Sequence, residues 1–127
     1  MKKLALMLAF GAIAAVAPLS AHHSFAAEYD MNKPLNVTGT VTKVDWLNPH
    51  AHIYIDVKDA SGKVANWEFE MQAPNQLIRS GFTRTTVKPG DVITIEGYAA
   101  KDGSNLGNAV NITLPDGRKI KGRNPDA

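Results

Sequence analysis

The stretch "NPHAHIYIDVKDASGKVANWEFEM", Asn48–Met71, decides the fold. In an extended chain successive side chains point to opposite faces. Ala51, Ile53, Ile55 and Val57 therefore share one face, and His50, His52, Tyr54 and Asp56 the other. The apolar set is core, so the histidines point outward. "DASGK", Asp59–Lys63, is turn chemistry, with Gly62 suited to a left-handed position in a short hairpin loop. Beyond it Ala65, Trp67, Phe69 and Met71 face inward, and Asn66, Glu68 and Glu70 outward. The two apolar faces share a core only if odd residues pair with odd. A loop of Ala60, Ser61 and Gly62 then sets Val57 opposite Ala65, Tyr54 opposite Glu68 and His52 opposite Glu70. A two-residue slip would set His52 opposite Glu68 instead. In either register a carboxylate borders the histidine strand.

Upstream, Val37–Trp46 is rich in Val and Thr and reads as a strand, with Gly39 placed to let it bend or bulge. Asn48-Pro49 marks a turn. Downstream, "APNQLIRSGF" holds a short helix over Pro74–Ser80: Pro74 suits its first turn, Leu77 and Ile78 pack inward, and Gly81 ends it. "KPGD", Lys88–Asp91, turns the chain into a strand over Val92–Tyr98. The loop "AKDGSNLGN" leads to a last strand at Ala109–Leu114, and Asp116-Gly117 announces a hairpin to a short tail strand near Lys119. Five strands with one helix between the third and fourth are the order of an OB-fold, a small five-stranded, partly closed β-barrel. Another small barrel or a sandwich is the alternative. No repeat or linker divides the chain, so one domain is expected over residues 22–127, with 22–34 as an N-terminal segment packed on the barrel.

Residues 1–21 read as a secretory signal: Lys2 and Lys3, an apolar run from Leu4 to Ala17, then Pro18 and small residues. The run is about 14 residues, short of the about 20 that cross a bilayer, so no stable membrane anchor is expected after processing. Cleavage after Ala21 makes His22 the mature N-terminus; a cut after Ala26 is the rival. Either gives a periplasmic or secreted protein. Loss of Lys2 and Lys3 lowers the 14 basic residues to 12, equal to the 12 acidic ones. A neutral, exported chain lacks the charge that would suggest nucleic acid. It holds no cysteine, which excludes disulfides and thiolate metal sites.

The stretches "AHHSFAAEYD", "GTVTKVDWLNPHAHIYIDV", "NWEFEM" and "KPGDVITIEGYAAKDGSN" together resemble a family of small exported proteobacterial proteins whose domain has no assigned function. "HHSF" and "NPHAH" are the most specific parts. The resemblance implies export and a compact β domain, and brings no activity with it.

The chain's four histidines form two close pairs, His22-His23 and His50-x-His52. An N-terminal histidine chelates a metal through its free amine and its ring Nδ1. A third imidazole completes the T-shaped histidine brace, which suits the tetragonal preference of Cu(II). His22 would supply amine and ring, and His50 or His52 the third nitrogen. His23 is a competing ligand, because second place in the chain also permits an amine, amide and imidazole chelate. Phe25 and Tyr29, four apart, are candidate anchors for this segment. Glu70, or Glu68 in the slipped register, would orient a histidine ring or give an axial oxygen, with Tyr54 beside them. Copper is favoured; zinc and nickel also accept imidazole. Against this stands the plain fact that adjacent histidines near a terminus, or His-x-His on a wet strand face, need no ligand. Trp46, Tyr54 and Tyr98 suggest a different use, a stacking surface of the kind OB-folds offer single strands or sugars, or an outward strand face with Tyr54 and Trp46 that receives a peptide, glycan or partner protein, while Trp67 reads as core. Ser24 beside His23 lacks a third partner, so no nucleophile stands out and enzyme function is the minority reading. The expectation is a periplasmic copper-handling protein, with a metal-free OB-type binding module as the alternative.

Overall fold

The computed structural model describes residues 25–123 and 125. The leader read over residues 1–21 and the pair His22 and His23 lie outside the described residues.

The hairpin takes the expected register. Strands His52–Lys58 and Val64–Glu70 pair antiparallel, with His52 opposite Glu70, Tyr54 opposite Glu68 and Val57 opposite Ala65. Asp59 N–H donates to the Lys63 carbonyl at 2.9 Å, closing the loop Ala60–Gly62. Gly62 sits at φ +84°, where a side chain would be strained. The Asp59 carboxylate accepts from the Ser61 hydroxyl at 2.6 Å and from the Ser61 and Lys63 N–H groups at 2.9 and 3.0 Å. These bonds, the Ser61 hydroxyl foremost, hold its carboxyl below the usual range.

Numbered in chain order, the strands are β1 (Tyr29–Asp45), β2 (His52–Lys58), β3 (Val64–Glu70), β4 (Val92–Ala100), β5 (Leu106–Thr113) and β6 (Lys119–Lys121). Two helices, α1 (Phe25–Glu28) and α2 (Pro74–Arg79), complete the elements. The 17 residues of β1 begin well before the expected Val37. Their first part pairs with β4 and their second with β2, and Thr40 pairs with Val92 on one side and Asp56 on the other. Gly39 is needed here for close approach: a Cβ on it would stand 2.4 Å from the Asp56 carbonyl oxygen. The bulge itself lies between Val41 and Lys43. A second irregularity, between Asp30 and Pro34, lets the proline enter the strand without donating to the ladder. Asn32-Lys33-Pro34 looks like a strand breaker in sequence, which is why the strand reads as starting later.

The protein is mainly β, with all six strands in one sheet ordered β3-β2-β1-β4-β5-β6. These neighbours are antiparallel, and β3 also pairs parallel with β5, Glu68–Glu70 beside Leu106–Asn108. The tail segment near Lys119 is a sixth member of the sheet, with Ile120 opposite Ile112, and β5 begins at Leu106 instead of Ala109. Helix α2 lies between β3 and β4 in the chain, as expected. Leu77 is fully buried, but Ile78 is 52% exposed, a correction to its inward assignment. Neighbouring residues on a helix point about 100° apart, and six residues offer the core a single face. The core gathers Val41, Ile53, Ile55, Phe69, Leu77, Phe82, Ile93, Ile95 and Ile112.

Candidate functional site

His50 precedes β2, and His52 opens it. The His50 Nδ1 lies 3.0 Å from the Met71 carbonyl oxygen. A carbonyl only accepts, so Nδ1 carries the hydrogen, and the lone pair of the neutral ring is on Nε2. That Nε2 is 3.5 Å from Glu70 Oε1. The His52 Nδ1 is 2.9 Å from Glu68 Oε1. The directions do not suit a hydrogen bond, and this buried nitrogen has no hydrogen-bond partner. Tyr54 donates its hydroxyl to the same Glu68 oxygen at 3.1 Å. Burial, then this bond, push the phenol up to about 12. His52 thus faces Glu70 in register yet touches Glu68. The contact runs along the strand-pair diagonal, about 7–8 Å between backbones and within reach of long side chains.

Glu70 departs from the sequence reading. Alternation along β3 turns it outward and would make it the partner of His52, but it is only 9% exposed. Its Oε2 accepts from the Tyr29 hydroxyl at 2.6 Å, and its Oε1 accepts from the Arg123 guanidinium. Arg123, itself buried, lies 5.5 Å from the Phe25 ring centre and 5.9 Å from that of Tyr29. Phe25 and Tyr29 are both buried, their rings 5.1 Å apart. Burial first, and then the bond to Glu70, push the Tyr29 phenol far up. Two segments distant in sequence therefore cover this face, and Glu70 serves His50, not His52. No local pattern marks Arg123 as a site residue, since its partner lies 53 positions away.

On β1, Asp45 pairs with His52 and Lys43 with Tyr54. Lys43 Nζ sits 3.0 Å from Asp45 Oδ2 and 4.8 Å from the Tyr54 ring centre. The aromatic residues read as a stacking surface have separate neighbours. Trp46 stacks on Phe82, Tyr98 meets Phe25 edge-on, and Tyr54 lies under Lys43. Trp67 stacks on Phe69 against the core. Among the described residues no three His, Asp or Glu side chains converge to hold an ion. His50 and Glu70 are a pair of donors and not a closed cage.

The sequence model of a family described as being of unknown function (DUF6152) matches residues 9–109. No curated protein and no solved structure matches the chain.

Proposed function

We propose, for a chain that belongs to this family of unknown function, a role in handling copper in the periplasm after export. In this reading a single ion is bound by the amine and ring of His22, with His50 or His52 as the third nitrogen. His23 is the competing ligand, and zinc or nickel are lesser occupants. Glu68, Glu70 and Tyr54 support the ligands. The sheet would close as an OB-like barrel, a reading supported by the β3–β5 pairing and by the place of α2 between β3 and β4.

One observation carries the proposal: Phe25 is docked against the side chains that lead to His50. Its ring packs against Arg123, Arg123 holds Glu70, and Glu70 faces the His50 Nε2. His22 is three residues before Phe25, and three residues reach at most about 11 Å. The tautomer adds support, because metal-binding histidines commonly donate their other ring N–H to a carbonyl or carboxylate. The test begins with the intact mass of the exported protein, followed by Cu(II) titration monitored by electron paramagnetic resonance. A chain starting at His22 with a one-to-one, nitrogen-rich signal, lost in His22→Ala or with one extra residue before His22, is the expected result. Copper binding indifferent to that extension and to His50→Ala and His52→Ala would overturn the proposal.

A second reading, a metal-free module for a peptide, glycan or protein partner, is favoured by a groove of about 370 Å³ lined by residues that include Pro34, Asn36, Glu96, Tyr98 and Asn111. It predicts that the extra N-terminal residue changes nothing.

A further inference from the structure

The carboxylate closest to the free nitrogen of His50 already holds a cation. Glu70 Oε1 accepts from the Arg123 guanidinium and lies 3.5 Å from His50 Nε2. That separation is long for a hydrogen bond. It matches two donors meeting one metal ion at about 2.0–2.2 Å each with an open angle between them. We infer that Arg123 and the metal ion are alternative occupants of Glu70, so that metal binding at His50 releases the Arg123 side chain. This rests on the reading of His50 as a metal ligand and adds its regulation.

The physical argument is competition between two positive charges for one buried carboxylate. Arg123 and Glu70 are both about nine-tenths buried. In such surroundings a carboxylate without a cation is costly, and so is a second cation beside one already neutralised. Without metal, the guanidinium satisfies Glu70 and packs against the Phe25 and Tyr29 rings. An ion bound at His50 and Glu70 makes the guanidinium surplus. Beside it, Gly122 N–H donates to the Val110 carbonyl at 2.9 Å, and the Gly122 carbonyl accepts from Gln72 N–H at 2.8 Å. Tyr29 keeps its bond to the other oxygen, Oε2, so the start of β1 stays in place while Arg123 is freed.

Trypsin reports the release directly, because cleavage after Arg123 requires this side chain to leave Glu70 and enter the protease pocket. The experiment uses the full exported chain with its native N-terminus, with and without one equivalent of Cu(II). Cleavage at Arg123–Asn124 is followed by mass spectrometry, and copper affinity is measured alongside for the wild type, Arg123→Gln and Arg123→Lys. The expected result is at least fivefold faster cleavage at Arg123 with copper and no such effect in His50→Ala. Arg123→Gln should bind copper about tenfold more tightly, and Arg123→Lys should stay near the wild type, which guards against a merely unfolded Gln variant. Copper that binds through His50 but alters neither the cleavage rate nor the affinity of Arg123→Gln would overturn the competition and leave the metal site standing. A wild-type chain that binds no copper would remove both.

Discussion

Glu70 is the carboxylate on which Arg123, Tyr29 and His50 converge. Glu70→Gln leaves the buried Arg123 without its counter-charge and is expected to cost about 3–5 kcal/mol in urea unfolding. Adding Arg123→Met should recover part of that loss, because it removes the buried guanidinium left without a counter-charge. The two tyrosines contribute to the alkaline behaviour. The folded chain raises the Tyr54 phenol from 10.0 to about 12 and the Tyr29 phenol further, so the folded state holds both protons more tightly than the unfolded one. Their contribution is complete below about pH 10 and is lost as pH rises through the folded values. The urea midpoint, followed by Trp fluorescence, should fall above about pH 10. In Tyr29→Phe that fall should be shallower. Sequence alone sets His52 and Tyr54 on one face of β2, since alternation needs only the strand itself, whereas His50, counted with them, precedes the strand. It could not place Arg123, and it turned Glu70 outward, because what covers a face comes from parts of the chain that periodicity does not address.

At the scale of elements, β1 pairs with β4 along its first part and β2 along its second, and Gly39 lies where it passes close to β2. Gly39→Ala puts a methyl group against the Asp56 carbonyl and should destabilise the protein by about 1–3 kcal/mol, read as a shift of the urea midpoint. The β2–β3 hairpin was fully legible: two alternating runs and a three-residue loop fix the register, and the observed pairs are those. The contacts across it were only partly legible. Register fixes which backbones face each other, while the diagonal reach of His52 to Glu68 depends on how long side chains lean. Pro74 and Gly81 mark helix α2 in the sequence, but its buried side takes in Leu77 and leaves Ile78 exposed.

At the scale of the whole molecule, Tyr29 and Arg123 meet at Glu70 from 41 and 53 positions away. The start of β1 and the segment after β6 are thereby fastened at one point. Truncation after Lys121 removes Arg123 and both Gly122 hydrogen bonds, and thermal unfolding followed by circular dichroism should show a midpoint lower by more than about 10 °C. The β3–β5 pairing was invisible in the sequence, because a parallel contact between distant strands leaves no turn between them to read. The order of strands and helix was visible, because hairpin turns and glycines punctuate it. The tight β2–β3 loop also turns the hairpin into a ruler. Ala60 sits exposed at its tip, the chain has no cysteine, and the strand from His52 to Lys58 advances about 20 Å. A nitroxide on Ala60→Cys would be the sole spin label, so a Cu(II) ion beside His50 should give a narrow dipolar distance near about 25 Å.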